Sequence, residues 1–284
     1  MGRAERKYDY VVVGHVSRDV VAATGAEQPG GTAFYAGLQA ARLGLRTLVV
    51  TAGVPDEVRA LLAPWRGELD VAIQPAAETT CFEASGTGFD RILRIRAWAG
   101  EIAPPAEGEL DAAILHLAPI ARETPAQAFG EAGRSARFVG ITPQGLIRRW
   151  GEDGGIAHVA LEQDELPRDL DALVISATEL AACGAAMDAA VDRGAVASVT
   201  AGEGGAEVIT RDGVERAPAL RVVEPTDDLG AGDVYAAAFF ASLANGAHPR
   251  TAMQRGQAAS LHKLSEPGPV AIAGSARIVE LAGA

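Results

Sequence analysis

Cysteine is nearly missing from this chain. Cys81 and Cys183 are the only two among 284 residues, far apart and in apolar surroundings. That excludes a disulfide framework and a cysteine-rich metal site, and fits two reduced core thiols of a cytoplasmic protein. Runs of Lys and Arg are missing as well, and the formal net charge is −12 with a pI near 4.9. A nucleic-acid binder carries a basic face, so that class is excluded. An acidic surface also repels phosphate-bearing ligands at long range. Any nucleotide site must therefore build local positive potential from amides, Mg²⁺ and a few arginines. There is no run of about 18 apolar residues, which argues against a membrane-spanning helix and a membrane partner. Met1-Gly2-Arg3-Ala4-Glu5-Arg6-Lys7 leads into no long apolar core before Gly14 and does not read as a signal peptide; Arg6 stands where a myristoylation signal has Ser or Thr. Short repeats and low-complexity linkers are absent too. The chain is 48% hydrophobic and 22% charged, enough to bury a sizeable core in one large α/β domain or two smaller ones.

Strand and helix patterns alternate along the chain. Tyr10-Val11-Val12-Val13 is a β-branched run ended by Gly14, as in a buried strand. Thr32 to Leu43 reads as a helix, preceded by Pro29-Gly30-Gly31 and stopped by Gly44. Further strands are expected at Arg46–Thr51, Ala112–Leu117, Phe138–Thr142, Ala172–Ser176 and Val196–Thr200, with a helix over Glu179–Arg193 closed by Gly194. Such alternation predicts a mostly parallel sheet covered on both faces. Thr79 to Trp98 breaks the rhythm: two β-prone runs flank Gly86-Thr87-Gly88, which predicts an antiparallel hairpin serving as a small lid or as a plain surface hairpin. A second hairpin is expected with arms at Ala206–Thr210 and Val214–Ala217. The first strand ends in Gly14-His15-Val16-Ser17, without the Gly-x-Gly-x-x-Gly turn that a Rossmann dehydrogenase needs.

Chemistry concentrates in Thr226-Asp227-Asp228-Leu229-Gly230-Ala231-Gly232-Asp233, followed directly by an apolar, alanine-rich helix. The unbonded N–H groups of a helix start attract anions, and glycine lets a phosphate approach the backbone closely. Taken alone, Gly-x-Gly-Asp also describes an ordinary Asp cap after a glycine turn. A carboxylate beside an anion site makes chemical sense when Asp233 takes a proton from a hydroxyl while neighbouring amides hold the phosphate being transferred. That reading is a small-molecule phosphotransferase.

Four segments, in order, resemble the ribokinase-like (PfkB) family of carbohydrate and nucleoside kinases. They are Gly14-His15-Val16-Ser17-Arg18-Asp19, Pro29-Gly30-Gly31-Thr32 running to Gly44, Val199-Thr200-Ala201-Gly202-Glu203-Gly204-Gly205, and the Asp227–Asp233 signature. The resemblance implies a three-layer α/β/α fold over residues 1–284 with a β lid at about 79–100. It further implies ATP as donor, Mg²⁺, a monovalent cation and a hydroxyl-bearing small molecule as acceptor. Separately, an exposed strand edge on the lid would be open to homodimer formation. By the same resemblance Asp233 would be the general base, and the amides of Gly230, Ala231 and Gly232 the anion hole. Asp19, Gly30 and Gly31 would contact the acceptor. Thr200, Gly202, Gly205 and Asp227 would line the nucleotide site, and Glu179 would order Mg²⁺ through water.

Three positions depart from the family pattern: Asp228 replaces a Thr, Ser176 an Asn, and Tyr35 a substrate-binding Asn. The last argues against a ribokinase-type acceptor pocket. Ile141-Thr142-Pro143-Gln144-Gly145-Leu146-Ile147-Arg148 and Thr80-x-Phe82-Glu83 are similar to the compact branch with archaeal and plant myo-inositol kinases. A polyol acceptor would find hydroxyl partners in Asp19, Gln39, Glu83 and Gln144; a nucleoside would use Phe34, Tyr35, Phe82 and Phe89 as a base slot. A catalytically silent binding protein is the reading from another class. His15 and His116 lack metal-ligand spacing and read as local hydrogen-bonding residues. Trp65, Trp98 and Trp150 read as core or interface residues, Arg148-Arg149 as a solvated face, and Arg91 and Arg96 as candidates to meet an anionic group.

Overall fold

The computed structural model describes residues 6–85, 92–104, 110–125, 129, 136–266 and 268–283. In chain order the strands are β1 Tyr8–Val13, β2 Ser17–Val21, β3 Glu27–Gly30, β4 Thr47–Gly53, β5 Asp70–Pro75, β6 Cys81–Ser85, β7 Ile92–Ala97 and β8 Ala112–Leu117. They continue with β9 Phe138–Ile141, β10 Arg148–Trp150, β11 Ile156–His158, β12 Ala172–Ser176, β13 Val196–Thr200, β14 Ala206–Thr210 and β15 Gly213–Ala217. The described α-helices are α1 Thr32–Arg42, α2 Pro55–Leu62, α3 Leu180–Arg193, α4 Ala231–Ala244, α5 Pro249–Lys263 and α6 Ser275–Leu281.

Among the described residues the main sheet runs β15-β14-β13-β12-β9-β8-β1-β4-β5. Its strands are parallel from β5 to β13, and β14 and β15 return antiparallel through a tight turn at Arg211-Asp212. The period-2 alternation of β1 divides its side chains between two cores. Tyr10 and Val12 pack with Phe34, Phe239 and Phe240, while Val11 and Val13 pack with Leu115, Ile141 and Met187. Strands buried on both faces need continuous apolar runs, which is why Val11-Val12-Val13 and Leu48-Val49-Val50 are legible as strands. This is the expected ribokinase-like α/β fold.

The lid is larger than the hairpin at 79–98. β6 and β7 form that antiparallel hairpin, and β6 pairs in parallel with β2, which pairs antiparallel with β3. The order β3-β2-β6-β7 makes a four-stranded sheet and places Asp19 on a lid strand facing the cleft. Phe89, Arg91 and the turn at 86–91 lie outside the described residues. Among the described residues, no helix is long and apolar enough to cross a membrane.

Candidate active site

A cleft of about 440 Å³ lies between the lid and the C-terminal ends of the parallel strands. Thr142 after β9, Ser176 ending β12 and Thr200 ending β13 line it, as expected where ligands bind an open α/β sheet. Ser17, Asp19, Gln28 and Phe82 form its lid end. Glu179, Thr200, Asp227, Gly230 and Gly232 form the opposite end, and Thr32, Gln144, Arg148 and Asp233 lie between.

The paired glycines have separate steric tasks. A Cβ on Gly30 would stand 2.1 Å from Asp19 Oδ2, so only glycine lets that carboxylate lie against the backbone. Gly31 has φ +92°, and a Cβ there would meet the His15 carbonyl at 2.2 Å. The turn therefore delivers Thr32, the first residue of α1, into the cleft. Ser17 Oγ donates to Asp19 Oδ1 at 2.7 Å and orients the carboxylate.

Asp233 occupies the first turn of α4, with part of its surface on the cleft and protein around the rest. Thr32 Oγ1 donates to Asp233 Oδ1 at 2.8 Å. Gln144 Nε2 donates to Thr32 Oγ1 at 2.6 Å, and Arg148 Nη2 donates to Gln144 Oε1 at 2.9 Å. The direction of this chain is fixed, because a guanidinium only donates and a hydroxyl that accepts from an amide passes its own proton onward. It ends on Oδ1 as an acceptor and leaves Oδ2 for chemistry. Arg148 is held by the Ile120 carbonyl at 2.8 Å, and its guanidinium lies 5.7 Å from the Phe82 ring centroid. Burial pushes the Asp233 carboxyl up to about 6; Glu179 and Asp19 add to the rise, while the Thr32 hydrogen bond and Arg148 oppose it. A carboxylate titrating near neutrality is matched to general-base work.

At the far end, Gly230 caps α4 with φ +82°, and a Cβ there would lie 2.3 Å from the Tyr35 ring. Gly230 and Gly232 face the cleft, whereas the Ala231 N–H donates to the Asp228 carbonyl at 3.2 Å. Asp227 Oδ1 accepts the Leu229 N–H at 3.0 Å, and Oδ2 accepts the Gly268 N–H at 2.9 Å and the Lys263 ammonium at 3.1 Å. Burial works against the Asp227 charge, yet these donors outweigh it and hold the carboxyl below its ordinary value. The Asp227 Oδ2 and carbonyl oxygen that a monovalent cation would seek are thus taken by Lys263. For Mg²⁺ the fit is better. Glu179 lines the cleft while its Oε2 accepts the Ser176 N–H at 2.8 Å, and Mg²⁺ commonly needs only one or two carboxylates besides water and substrate phosphates.

Asp19, Gly31, Phe82, Gln144, Glu179, Thr200, Asp227, Gly230, Gly232 and Asp233 come together around one cleft. Other expectations are corrected. Tyr35 is 1% exposed and packs under Gly230 instead of lining the cleft. Ala231, Gly202 and Gly205 are not among the lining residues. Phe34 is buried against Trp65, and Gln39 donates to the Ala273 carbonyl at 2.9 Å, both away from the cleft. Glu83 pairs with Arg96 at 2.6 Å on an exposed face. Arg148 is no solvated residue; only Arg149 and the Trp98–Trp150 pair lie on the outer side, beside a second hollow. His15 bonds Thr80 at 2.8 Å, and His116 bonds Tyr10 at 2.8 Å and Thr142 at 3.1 Å. Sequence reasoning missed Thr32, Arg148, Lys263 and buried Glu123, whose carboxylate accepts the N–H groups of His15, Ile120 and Ala121. Spacing offers no signal for Glu123 reaching the first strand's turn, because His15 lies more than a hundred residues earlier in the chain.

Residues 162–273 match the sequence model of a family described as pfkB family carbohydrate kinase. That stretch, in the C-terminal part of the chain, is similar to PfkB-family kinases. The matched span contains the Thr200 loop, the Gly230 turn and Asp233. The match and the shared fold support a kinase phosphotransferase. No curated protein sequence matches it. Solved structures show the same fold at low identity. A pyrophosphate-dependent kinase of the ribokinase family, complexed with a pyrophosphate analogue and myo-inositol, has a TM-score of 0.78 at 19% identity, covering 92% of this chain and 96% of that one. Arabidopsis thaliana ribokinase with ribose and ATP gives 0.73 at 19%, covering 98% and 99%. The nucleoside kinase of Methanocaldococcus jannaschii gives 0.73 at 17%, also covering 98% and 99%.

Proposed function

We propose that this chain transfers a phosphoryl group from ATP to a hydroxyl of a small cyclic polyol or sugar. The observation that carries the reading is the placement of Asp233. Its Oδ1 is anchored by Thr32 at the mouth of a glycine-lined helix start, between a hydroxyl-binding end and an anion-facing end. Asp233 Oδ2 takes the proton of the accepting hydroxyl, a contribution of about 10²–10⁴-fold. The Gly230 and Gly232 amides meet the negative charge that develops on the transferring group, and they need no reorganisation to do so. Arg148 is the cation at the midpoint, placed to offset the charge of Asp19, Glu179 and Asp233. Glu179 would hold Mg²⁺ through water with the donor phosphates, and the ion when bound neutralises their charge.

A polyol or sugar fits the acceptor end better than a nucleoside. Phe82 is the one aromatic residue lining the cleft among the described residues, and Arg148 already covers its ring. Asp19, Ser17 and Gln28 supply hydroxyl partners instead. Pyrophosphate is the second donor to consider. The donor end is lined by Glu179, Thr200, Asp227 and the Gly230 turn, while the more distant Gly202 and Gly205 do not reach it, and a pyrophosphate-dependent kinase shares the fold. A screen of inositols, pentoses, ketoses and nucleosides against Mg-ATP and Mg-pyrophosphate tests both choices. Phosphate-ester formation with a polyol or sugar is expected. Donor binding without ester formation from any acceptor would favour a silent binding protein.

A further inference from the structure

Lysine occurs at only two positions in this arginine-rich chain, Lys7 and Lys263. Lys263 closes α5 and its side chain is fully buried. Its ammonium lies 3.1 Å from Asp227 Oδ2, 3.3 Å from the Asp227 carbonyl oxygen and 5.9 Å from the Tyr35 ring centroid. The same Tyr35 ring supports Gly230. One turn earlier on α5, Ser260 Oγ donates to the Ala231 carbonyl at 2.6 Å. A compact charge therefore sits beneath the Asp227–Gly230 turn, ligated by one carboxylate oxygen, one carbonyl oxygen and an aromatic face. Carboxylate and carbonyl oxygens are also the kind of donor that a bare monovalent cation accepts. A lysine ammonium is a point charge on a flexible stem and can imitate such an ion, whereas the planar fork of the arginine used elsewhere cannot.

We propose that Lys263 is a tethered monovalent cation that orders the anion-binding turn and makes donor-phosphate binding independent of potassium or ammonium salts. It is a positioning residue that acts through Asp227 and Gly230. The inference rests on the reading that the Gly230 and Gly232 amides bind the donor phosphate. Its physical basis is that Asp227, with its ammonium removed, becomes a partly buried carboxylate short of a counter-charge beside the turn.

The test uses the full chain and Lys263→Gly, which leaves room for an ion, in potassium, ammonium or tetramethylammonium chloride at constant ionic strength. Melting temperature and the affinity for pyrophosphate are measured by calorimetry. The wild type is expected to be indifferent to the choice of cation in both. In tetramethylammonium, which is too large for the space, Lys263→Gly should melt lower and bind pyrophosphate about tenfold or more weakly. Potassium or ammonium should restore most of both. Asp227→Asn/Lys263→Met, with both charges removed, should fold and ignore the cation. A potassium-dependent wild type overturns the proposal. So does a Lys263→Gly protein that matches the wild type in tetramethylammonium, or one whose melting temperature, or refolding yield if it is unfolded, no small cation improves. If no variant and no salt gives pyrophosphate or ATP binding, the phosphate-site reading fails instead, while the melting data still judge the tether.

Discussion

Replacing Thr32 with Val should shift the pH dependence of catalysis without changing the fold. The substitution keeps the shape of the side chain and removes the one donor that reaches Asp233 Oδ1 at 2.8 Å. A hydrogen bond to a charged group contributes about 1.5–3 kcal/mol, and one pKa unit corresponds to about 1.4 kcal/mol, so the shift is about 1–2 units. Its sign is upward, because the lost bond favoured the ionised form. Asp233 titrates at about 6 in the native protein, and the variant should titrate at roughly 7–8. At pH 7 the ionised fraction then falls from about nine-tenths to between about one-tenth and one-half, a loss of about 2–10-fold in kcat/KM that recovers near pH 9. The assay is the pH–rate profile of kcat/KM for the wild type, Thr32→Val and the hydroxyl-retaining Thr32→Ser. Thr32→Ser should overlay the wild type. A Thr32→Val profile with an unmoved acid limb, lowered equally at every pH, would refute the electrostatic reasoning and leave only a geometric role for Thr32.

Three further outcomes are expected. Asp233→Asn should stabilise the protein: a carboxyl raised from 3.8 to about 6 contributes its full stability below the unfolded value and loses it as pH climbs through the folded one. Urea denaturation should therefore show a gain approaching about 3 kcal/mol at pH 8 and almost none at pH 4; equal gains at both pH values would contradict the assignment. Arg148→Met should lower kcat/KM by about 10²-fold, and Arg148→Lys should not restore it, since an ammonium cannot span the Ile120 carbonyl and Gln144 together; full activity in the lysine variant would sink the bridging role. Gly30→Ala should push the Asp19 carboxylate aside and weaken acceptor use by about 10–100-fold in kcat/KM with donor affinity unchanged; an unaltered acceptor KM would remove Asp19 from the acceptor site.

Legibility in the sequence followed how local each signal is. The run Tyr10–Val13, the helix after Gly30-Gly31 and the helix start at Gly230 each carry their own pattern within a few residues, and the structure places all three as expected. The lid was only half legible. Ser17–Val21 and Glu27–Gly30 are short and half-exposed, and β2 pairs with a strand about sixty residues later, so their own composition says little. Tyr35 was misplaced because its position in a motif says nothing about the direction of its ring, which the close approach of Gly230 demands. Arg148 stands in a doublet that reads as surface charge; its inward turn depends on the Ile120 carbonyl and Gln144. Lys263 looks like an ordinary basic residue at a helix C-terminus, and only the tertiary packing of α5 against the Asp227 turn reveals that its ammonium is buried against a carboxylate.

Phosphorus NMR of the reaction mixture reaches the central claim most directly. Wild-type protein with Mg-ATP or Mg-pyrophosphate and a productive polyol or sugar should yield a phosphomonoester resonance. Asp233→Asn should bind the donor equally well and form that ester about 10²-fold or more slowly. An Asp233→Asn protein that makes the ester at more than roughly a tenth of the wild-type rate would show that some other group takes the proton.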